Sequence, residues 1–276
     1  AKDASMARYG VLGDIHGNRE ALEAVLRELD ARGVRQLLCV GDIVGYNADP
    51  DECVALVRSR RVAAIAGNHD LISQHRLDFS RCSNIAEYAL RRTRRTLGKE
   101  AAAWLSGLPA HLSPEPHVVL IHGGVRDVQQ YMVTPAHIRD NAAFLAEDFP
   151  GARVCFFGHS HEQRVYEVNG ETVSEVPTDG EVHLRKENAY FINPGSVDAS
   201  RKSRHKLAEC AIFDSSFGTV QFLRVRYDAA ATEVKAAAFG YRINPLTSRL
   251  YTLRRRTASA ARRIGARLQR GADSGR

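Results

Sequence analysis

A chain of 276 residues with 44% hydrophobic and 26% charged residues has the make-up of an ordinary folded globular protein, long enough for one large domain or two small ones. No apolar stretch approaches the ~18–20 residues that span a bilayer, and the N-terminus lacks the apolar segment of a secretory signal, so no membrane span is expected and a cytoplasmic location is. The formal charge of +7 is uneven: from Arg249 onward there are nine arginines and one acid, Asp273, giving +8 there and −1 over the first 248 residues, which excludes a basic nucleic-acid-binding body.

In chain order, YGVLGDIHGN reads as a strand and loop, and Leu22, Val25, Leu26 and Leu29 at helical spacing predict a helix capped by Asn18. The pattern returns as QLLCVGD before a helical segment at 50–58, VAAIAGNHD before one at 83–98, HVVLIHGG before one at 135–148, and finally VCFFGHSH. Alternating strands and helices predict an α/β fold with a largely parallel sheet. After His161 the texture changes to QRVYEV, the turn-like Asn169-Gly170, ETVSEV, AYFINPGSV, LAECAIFD and TVQFLRVRY, which predict antiparallel strands and hairpins. Leu253, Ala260, Ala261, Ile264 and Leu268 then recur at helical spacing among the arginines. The expected organisation is a main domain at 6–248, beginning with Met6 after AKDAS, and a basic, amphipathic helical tail at 249–276. The five cysteines (39, 53, 82, 155 and 210) contain no C-x-x-C pair, and Cys39 and Cys155 sit in apolar runs, so they are expected to be reduced core residues.

Polar residues collect where the apolar runs stop: Asp14 and His16, Asp42, Asn68 with His69, His122, then His159 and His161. In open α/β sheets the carboxyl ends of strands converge on the ligand crevice, so residues almost 150 positions apart can meet there. Two aspartates, one asparagine and four imidazoles (His16, His122, His159 and His161) supply the mixed oxygen and nitrogen donors of a divalent transition-metal site. Seven donors exceed one tetrahedral ion and suit two metals sharing a carboxylate. In an extended segment residues i and i+2 point to one side, which would bring Asp14 with His16, and His159 with His161, onto the same cluster. Taken singly each block has a plainer reading: D-x-H is a loop, GD and GNH are turns, and His122 is a structural histidine. Five such blocks in register with five strand ends point to metal binding.

These blocks resemble the signature of the calcineurin-like metallophosphoesterases. D-x-H, G-D, G-N-H-D/E, a lone H and G-H-x-H stand here as Asp14-Ile15-His16, Gly41-Asp42, Gly67-Asn68-His69-Asp70, His122 and Gly158-His159-Ser160-His161, in order between about residues 8 and 225. GDIVGYNADPDEC and FINPGSVDASR look like the small prokaryotic members. The resemblance implies a four-layer αββα sandwich. It places one metal on Asp14, His16, Asp42 and His161 and the other on Asp42, Asn68, His122 and His159, with Asp42 bridging. It further implies a hydrolase of phosphodiesters or phosphomonoesters, small diesters and nucleotides being favoured, in which a hydroxide between two divalent ions attacks phosphorus in line. Manganese is the first expectation, with iron, nickel and zinc suited to the same donors. His69, with Asn68 beside it, is expected to face the substrate, stabilising the transition state or protonating the leaving oxygen. Arg201, soon after NPGSV, is a further candidate phosphate contact. Asp70 is either an orienting partner of the imidazoles or a turn residue.

One departure bears on the substrate. Protein Ser/Thr phosphatases and the diadenosine tetraphosphatases resembling them continue the G-D block with an acid and an arginine that grips phosphate oxygens. Gly45 and Tyr46 stand in those places here, which weakens the phosphoprotein phosphatase and dinucleotide tetraphosphatase alternatives. A non-catalytic interaction scaffold is another alternative, opposed by the complete set of seven donors and His69. The arginine-rich tail has two readings, docking on the body through its apolar stripe or attracting an anionic partner, and the stripe favours docking.

Overall fold

The structure, a computed structural model, describes residues 8–200, 202 and 205–254. The elements in chain order are β1 (Arg8–Leu12), α1 (Arg19–Ala31), β2 (Gln36–Cys39), α2 (Pro50–Ser59), β3 (Ala63–Ala64), α3 (Asn68–Ser73), α4 (Asn84–Thr96), α5 (Lys99–Ser106), β4 (Leu112–Glu115), β5 (Val118–Leu120) and α6 (Pro135–Asp148). They continue with β6 (Val154–Phe156), β7 (Gln163–Asn169), β8 (Thr172–Val176), β9 (Glu181–His183), β10 (Ala189–Pro194), β11 (Leu207–Asp214), β12 (Thr219–Arg226), α7 (Ala229–Ala238) and a last helix, α8, at 245–254. Asn18 caps α1 as expected, its side-chain oxygen accepting from Ala21 N at 3.1 Å.

The strands form two six-stranded sheets, ordered β3-β2-β1-β11-β12-β9 and β4-β5-β6-β10-β7-β8. Each holds one parallel triplet, β3-β2-β1 in the first and β5-β6-β10 in the second, and the remaining pairs are antiparallel. The expected largely parallel sheet is therefore two mixed sheets. The segments after His161 return to both of them: β10 joins β6, and β11 joins β1.

Side-chain alternation along the strands builds the layers. Tyr9, Val11, Leu38 and Val40 from the first sheet meet Val154, Phe156, Tyr190 and Ile192 from the second in a core between the sheets. The intervening residues face outward. Leu12, Leu37 and Cys39 pack with Leu22, Val25 and Leu29 of α1 and Cys53 and Val57 of α2, whereas Cys155, Phe157 and Phe191 pack with Ile138 and Leu145 of α6. The result is the expected four-layer αββα sandwich. All five cysteines are buried and free of disulfides. Among the described residues no helix is long and apolar enough to cross a membrane.

α8 runs through the 248/249 boundary and packs on α4: Asn84 Nδ2 donates to Ser248 O and to Thr252 Oγ1, at 3.2 and 2.8 Å, and the rings of Tyr88 and Tyr251 lie 6.2 Å apart. Leu253, the first member of the tail's apolar stripe, is 60% exposed. The rest of that stripe lies outside the described residues.

Candidate metal centre

Both parallel triplets end at one edge of the sandwich, and five of their six strands carry candidate donors there. Asp14 and His16 follow β1, Asp42 follows β2, Asn68 and His69 open α3 after β3, His122 follows β5, and His159 and His161 follow β6. Backbone hydrogen bonds sew the loops together: Asp14 N to Gly41 O, His16 N to Asp42 O, Gly158 N to His122 O and Asp198 N to Asp14 O, at 2.8–3.0 Å.

The D-x-H and H-x-H spacings work differently from the extended geometry expected of them. Asp14, His16, Asp42, His159 and His161 all have left-handed backbones, with φ between 50 and 66°. A non-glycine residue there costs on the order of 1–3 kcal/mol, and such strain persists only where the surroundings over-determine it. Their shared direction therefore comes from alternate left-handed residues, with Ile15 and Ser160 between them, pinned by the inter-loop hydrogen bonds.

The donors converge in two groups. Ligand atoms of Asp14, His16 and His161 lie within 4.8 Å of one another, and so do those of Asp42, His122 and His159. Asn68 Oδ1 joins the second group at 3.0 Å from His122 Nε2. Asp42 stands between them, its Oδ2 3.3 Å from His122 Nε2 and 3.7 Å from His16 Nε2. A third grouping brings His69 within 4.8 Å of the donors of His16 and Asp42.

Second partners orient the imidazoles. His122 Nδ1 lies 2.7 Å from Val40 O, an acceptor, so this nitrogen carries the proton and Nε2 turns to the cluster. His16 Nδ1 is likewise placed 3.3 Å from Val44 O, and His16 Nε2 meets His161 Nε2 at 3.1 Å. Two imidazole nitrogens so arranged share one hydrogen bond or direct two lone pairs at one cation.

The fit to divalent cations rests on two buried atoms. Asp42 Oδ2 and His159 Nε2 have no hydrogen-bond partner in a site where such orphans are costly. The electrostatics agree. Burial opposes ionisation of Asp42, but His122, His69 and His16 outweigh it and hold the carboxyl well below the usual carboxylate range. Burial also works against a charged His122, yet Asp42 above all pushes its pKa up to about 9. Burial, and then His122, push His159 down to about 3, keeping it a neutral nitrogen donor. A strongly ionised carboxylate surrounded by imidazoles is a set of groups that a cation satisfies better than protons do.

Asp70 has neither of its two expected roles. It is buried, with Oδ1 accepting from Ile43 N and Val44 N at 2.9 and 3.2 Å and Oδ2 from Gly67 N at 2.9 Å. It clips the Asp42 loop to the start of α3 and does not hold an imidazole. Beside that clip, a Cβ on Gly67 would overlap Asp42 N and Oδ1. Gly67→Ala is therefore expected to displace Asp42, lowering stability by about 1–3 kcal/mol and removing bound metal, as read by thermal unfolding and elemental analysis.

Comparison with known proteins agrees with this geometry. The family model of the calcineurin-like phosphoesterase superfamily domain matches residues 7–216. The chain belongs to the calcineurin-like phosphoesterase superfamily. An uncharacterized protein of Methanocaldococcus jannaschii is 32% identical over 225 residues, 79% of this chain and 87% of that protein. The crystal structure of a metallophosphoesterase from Sphaerobacter thermophilus superposes with a TM-score of 0.71 at 29% identity, covering 88% of this chain and 97% of that one. A hypothetical protein from Pyrococcus horikoshii shares the fold, with a TM-score of 0.65 at 18% identity over 89% and 97% of the two chains. The chain is thus a hydrolase of phosphoesters from a metal-dependent family.

Further residues brace this candidate site. Tyr46, left-handed at φ 55° and 7% exposed, packs its ring 4.7 Å from those of both His16 and His69. Gly45, at φ 104°, lies directly under His69, where a Cβ would overlap Nδ1, so an acid at this position would displace His69. Arg242 holds the loop from below, donating to Tyr46 O and Asn47 Oδ1 at 2.9 Å each. The NPGSVD turn cradles the cluster. Asn193 Nδ2 donates to Gly158 O at 3.0 Å, Ser196 Oγ to Asp14 O at 3.0 Å, and Asn18 Nδ2 to Asp198 Oδ1 at 2.8 Å. Its signal was the NPGSV motif itself, an unusual strand ending. Arg201 lies outside the described residues.

Proposed function

We propose that the chain is a dinuclear-metal-dependent phosphoesterase that cleaves small phosphodiesters or nucleotides by in-line displacement at phosphorus. The observation that carries this reading is Asp42: buried, strongly ionised, and positioned with Oδ2 between the His16 and His122 nitrogens without a hydrogen bond of its own. Asp14, His16 and His161 would hold one divalent ion, Asn68, His122 and His159 the other, with Asp42 shared. Manganese is the first ion to test, and iron, nickel and zinc suit the same donors. When bound, such a pair supplies Lewis acidity and lowers the pKa of water.

The protein's own residues then divide the work. The carbonyls of Val40 and Val44 fix the imidazole tautomers, and the hydrogen-bonded loops keep the donors from following the substrate as charge shifts. His69, packed between Gly45, Tyr46 and His16, lies beside the cluster where a leaving oxygen needs a proton or a charged phosphoryl oxygen needs a donor. Tyr46 offers no guanidinium for phosphate, which argues against the phosphoprotein phosphatase and dinucleotide tetraphosphatase alternatives.

Hydrolysis of bis-p-nitrophenyl phosphate in the presence of manganese, abolished by a chelator and restored by metal, tests the reading. Failure to turn over that diester or nucleotide esters with any of the four metals would favour the interaction scaffold. The tail is proposed to be dispensable for the chemistry. Because 245–254 packs on α4, the deletion that tests this is 255–276. Turnover of the chromogenic diester should stay within a few-fold, since every candidate donor precedes residue 162 and charge acting from a distance is screened. A hundredfold loss would place it in the active site.

A further inference from the structure

The cleft over the metal cluster encloses about 820 Å³ and extends beyond Asp42, His159 and His161 to Lys202, Glu209 and Arg224. That is roomy for one phosphate group, since whole drug-sized ligands occupy sites of roughly 300–1,000 Å³. Its basic side chains fall into two kinds. Arg81 is taken up by Asp127, both of whose carboxylate oxygens accept from Nη1 at 2.8 Å, and Arg164 lies between Glu162 and Glu175, at 2.7 and 2.9 Å. Around Glu209 the ratio is reversed. Lys202 Nζ donates to Glu209 Oε2, while His205 Nε2 and Arg224 Nε lie 3.3 and 3.7 Å from Oε1. One buried carboxylate thus faces three basic groups; with Asp198, which lines the same cleft and acts on Lys202, the charges balance when His205 is neutral and leave a surplus of one positive charge when it is protonated.

Those basic groups are held in place and open to the cleft. Glu209 is 4% exposed, and its backbone nitrogen donates to Ser196 O at 2.9 Å. The side chain of Arg224 is 50% exposed, with Nε donating to Gln163 Oε1 at 3.2 Å. Gln163, two residues past His161, donates in turn to Leu223 O at 2.9 Å and Cys210 O at 3.3 Å. Strands β7, β11 and β12 therefore tie the basic cluster to the loop that carries His159 and His161. Basic groups pre-oriented in this way bind an anion with little further ordering, and an arginine adds a planar fork suited to phosphate.

We propose that Lys202, His205 and Arg224 form a second anion subsite, which takes a phosphate of the substrate other than the one being cleaved. The favoured substrates are then phosphoesters carrying a second phosphate, such as nucleotides phosphorylated at two positions. The inference rests on the phosphoesterase reading of the metal cluster.

A matched pair of esters separates the two. Thymidine 5′-(p-nitrophenyl phosphate) and its 3′-phosphorylated form share the scissile bond and the leaving group and differ only in the remote phosphate. In the wild-type protein kcat/KM should be at least about tenfold higher for the 3′-phosphorylated ester, chiefly through KM. That ratio should fall to within about threefold of unity in Arg224→Gln and lie between in Arg224→Lys, which keeps the charge without the fork. A wild-type ratio near one, with both esters turned over, overturns the subsite and leaves the phosphoesterase reading standing. An unchanged ratio in an Arg224→Gln protein of normal melting temperature overturns the assignment to these residues. Turnover of neither ester, nor of bis-p-nitrophenyl phosphate, overturns the phosphoesterase reading and the subsite with it.

Discussion

Asp42→Asn is expected to lower phosphoester hydrolysis by roughly 10³-fold or more, the rate equivalent of about 4 kcal/mol of charge stabilisation. The substitution preserves the shape of the side chain and an oxygen for the 2.7 Å hydrogen bond from His69 N, so the loop keeps its support. What it removes is the charge. Oδ2 is the atom that faces both His16 and His122, and a neutral amide cannot bridge two cations as a carboxylate does. Metal content should fall below two per chain together with the rate. Two tightly held ions and a rate within tenfold of wild type would show that Asp42 is not the bridge.

His69→Ala should produce a different defect, about 10²–10⁴ in rate with both metals retained, since proton transfer or charge stabilisation is worth that much. The loss should depend on the leaving group. An acidic p-nitrophenol departs with little protonation, whereas a ribose oxygen needs a proton, so a general-acid His69 predicts a much deeper defect on nucleotide esters. Equal defects on both would assign His69 to the phosphoryl oxygens. His69 lies within 4.8 Å of the His16 and Asp42 donors, which makes the metal count the deciding control. Loss of an ion on substitution would move His69 into the coordination sphere.

How much of this could be read in the sequence depended on whether the physics was local. The strands and helices of the first half were legible because burial on one face imposes a period, and the helix at Pro135–Asp148 matches the expected span. The meeting of the seven candidate donors was legible because each follows an apolar run, and parallel strands deliver such positions to one edge. The division into two sheets was not. Nothing in LAECAIFD says that it pairs with β1, since register between segments some 200 residues apart is decided by the assembled core. The left-handed backbones were hidden for a similar reason, as the hydrogen bonds that hold Asp14 and His16 come from Gly41 and Asp42. Asp70 looked like an ordinary turn residue because its three amide donors belong to two loops. Lys202, Glu209 and Arg224 stand apart in sequence on unremarkable polar positions, and only the pairing of β11 with β12 brings the last two together.

The central claim is that one carboxylate joins two metal ions, and the electron paramagnetic resonance of the manganese-reconstituted protein tests it most directly. Two Mn(II) ions sharing a bridge are exchange-coupled. Titration should therefore saturate at two ions per chain with the multiline signal of a coupled pair, and Asp42→Asn should abolish that signal. Saturation at a single ion with an isolated six-line spectrum, or a coupled signal that survives Asp42→Asn, would contradict the account.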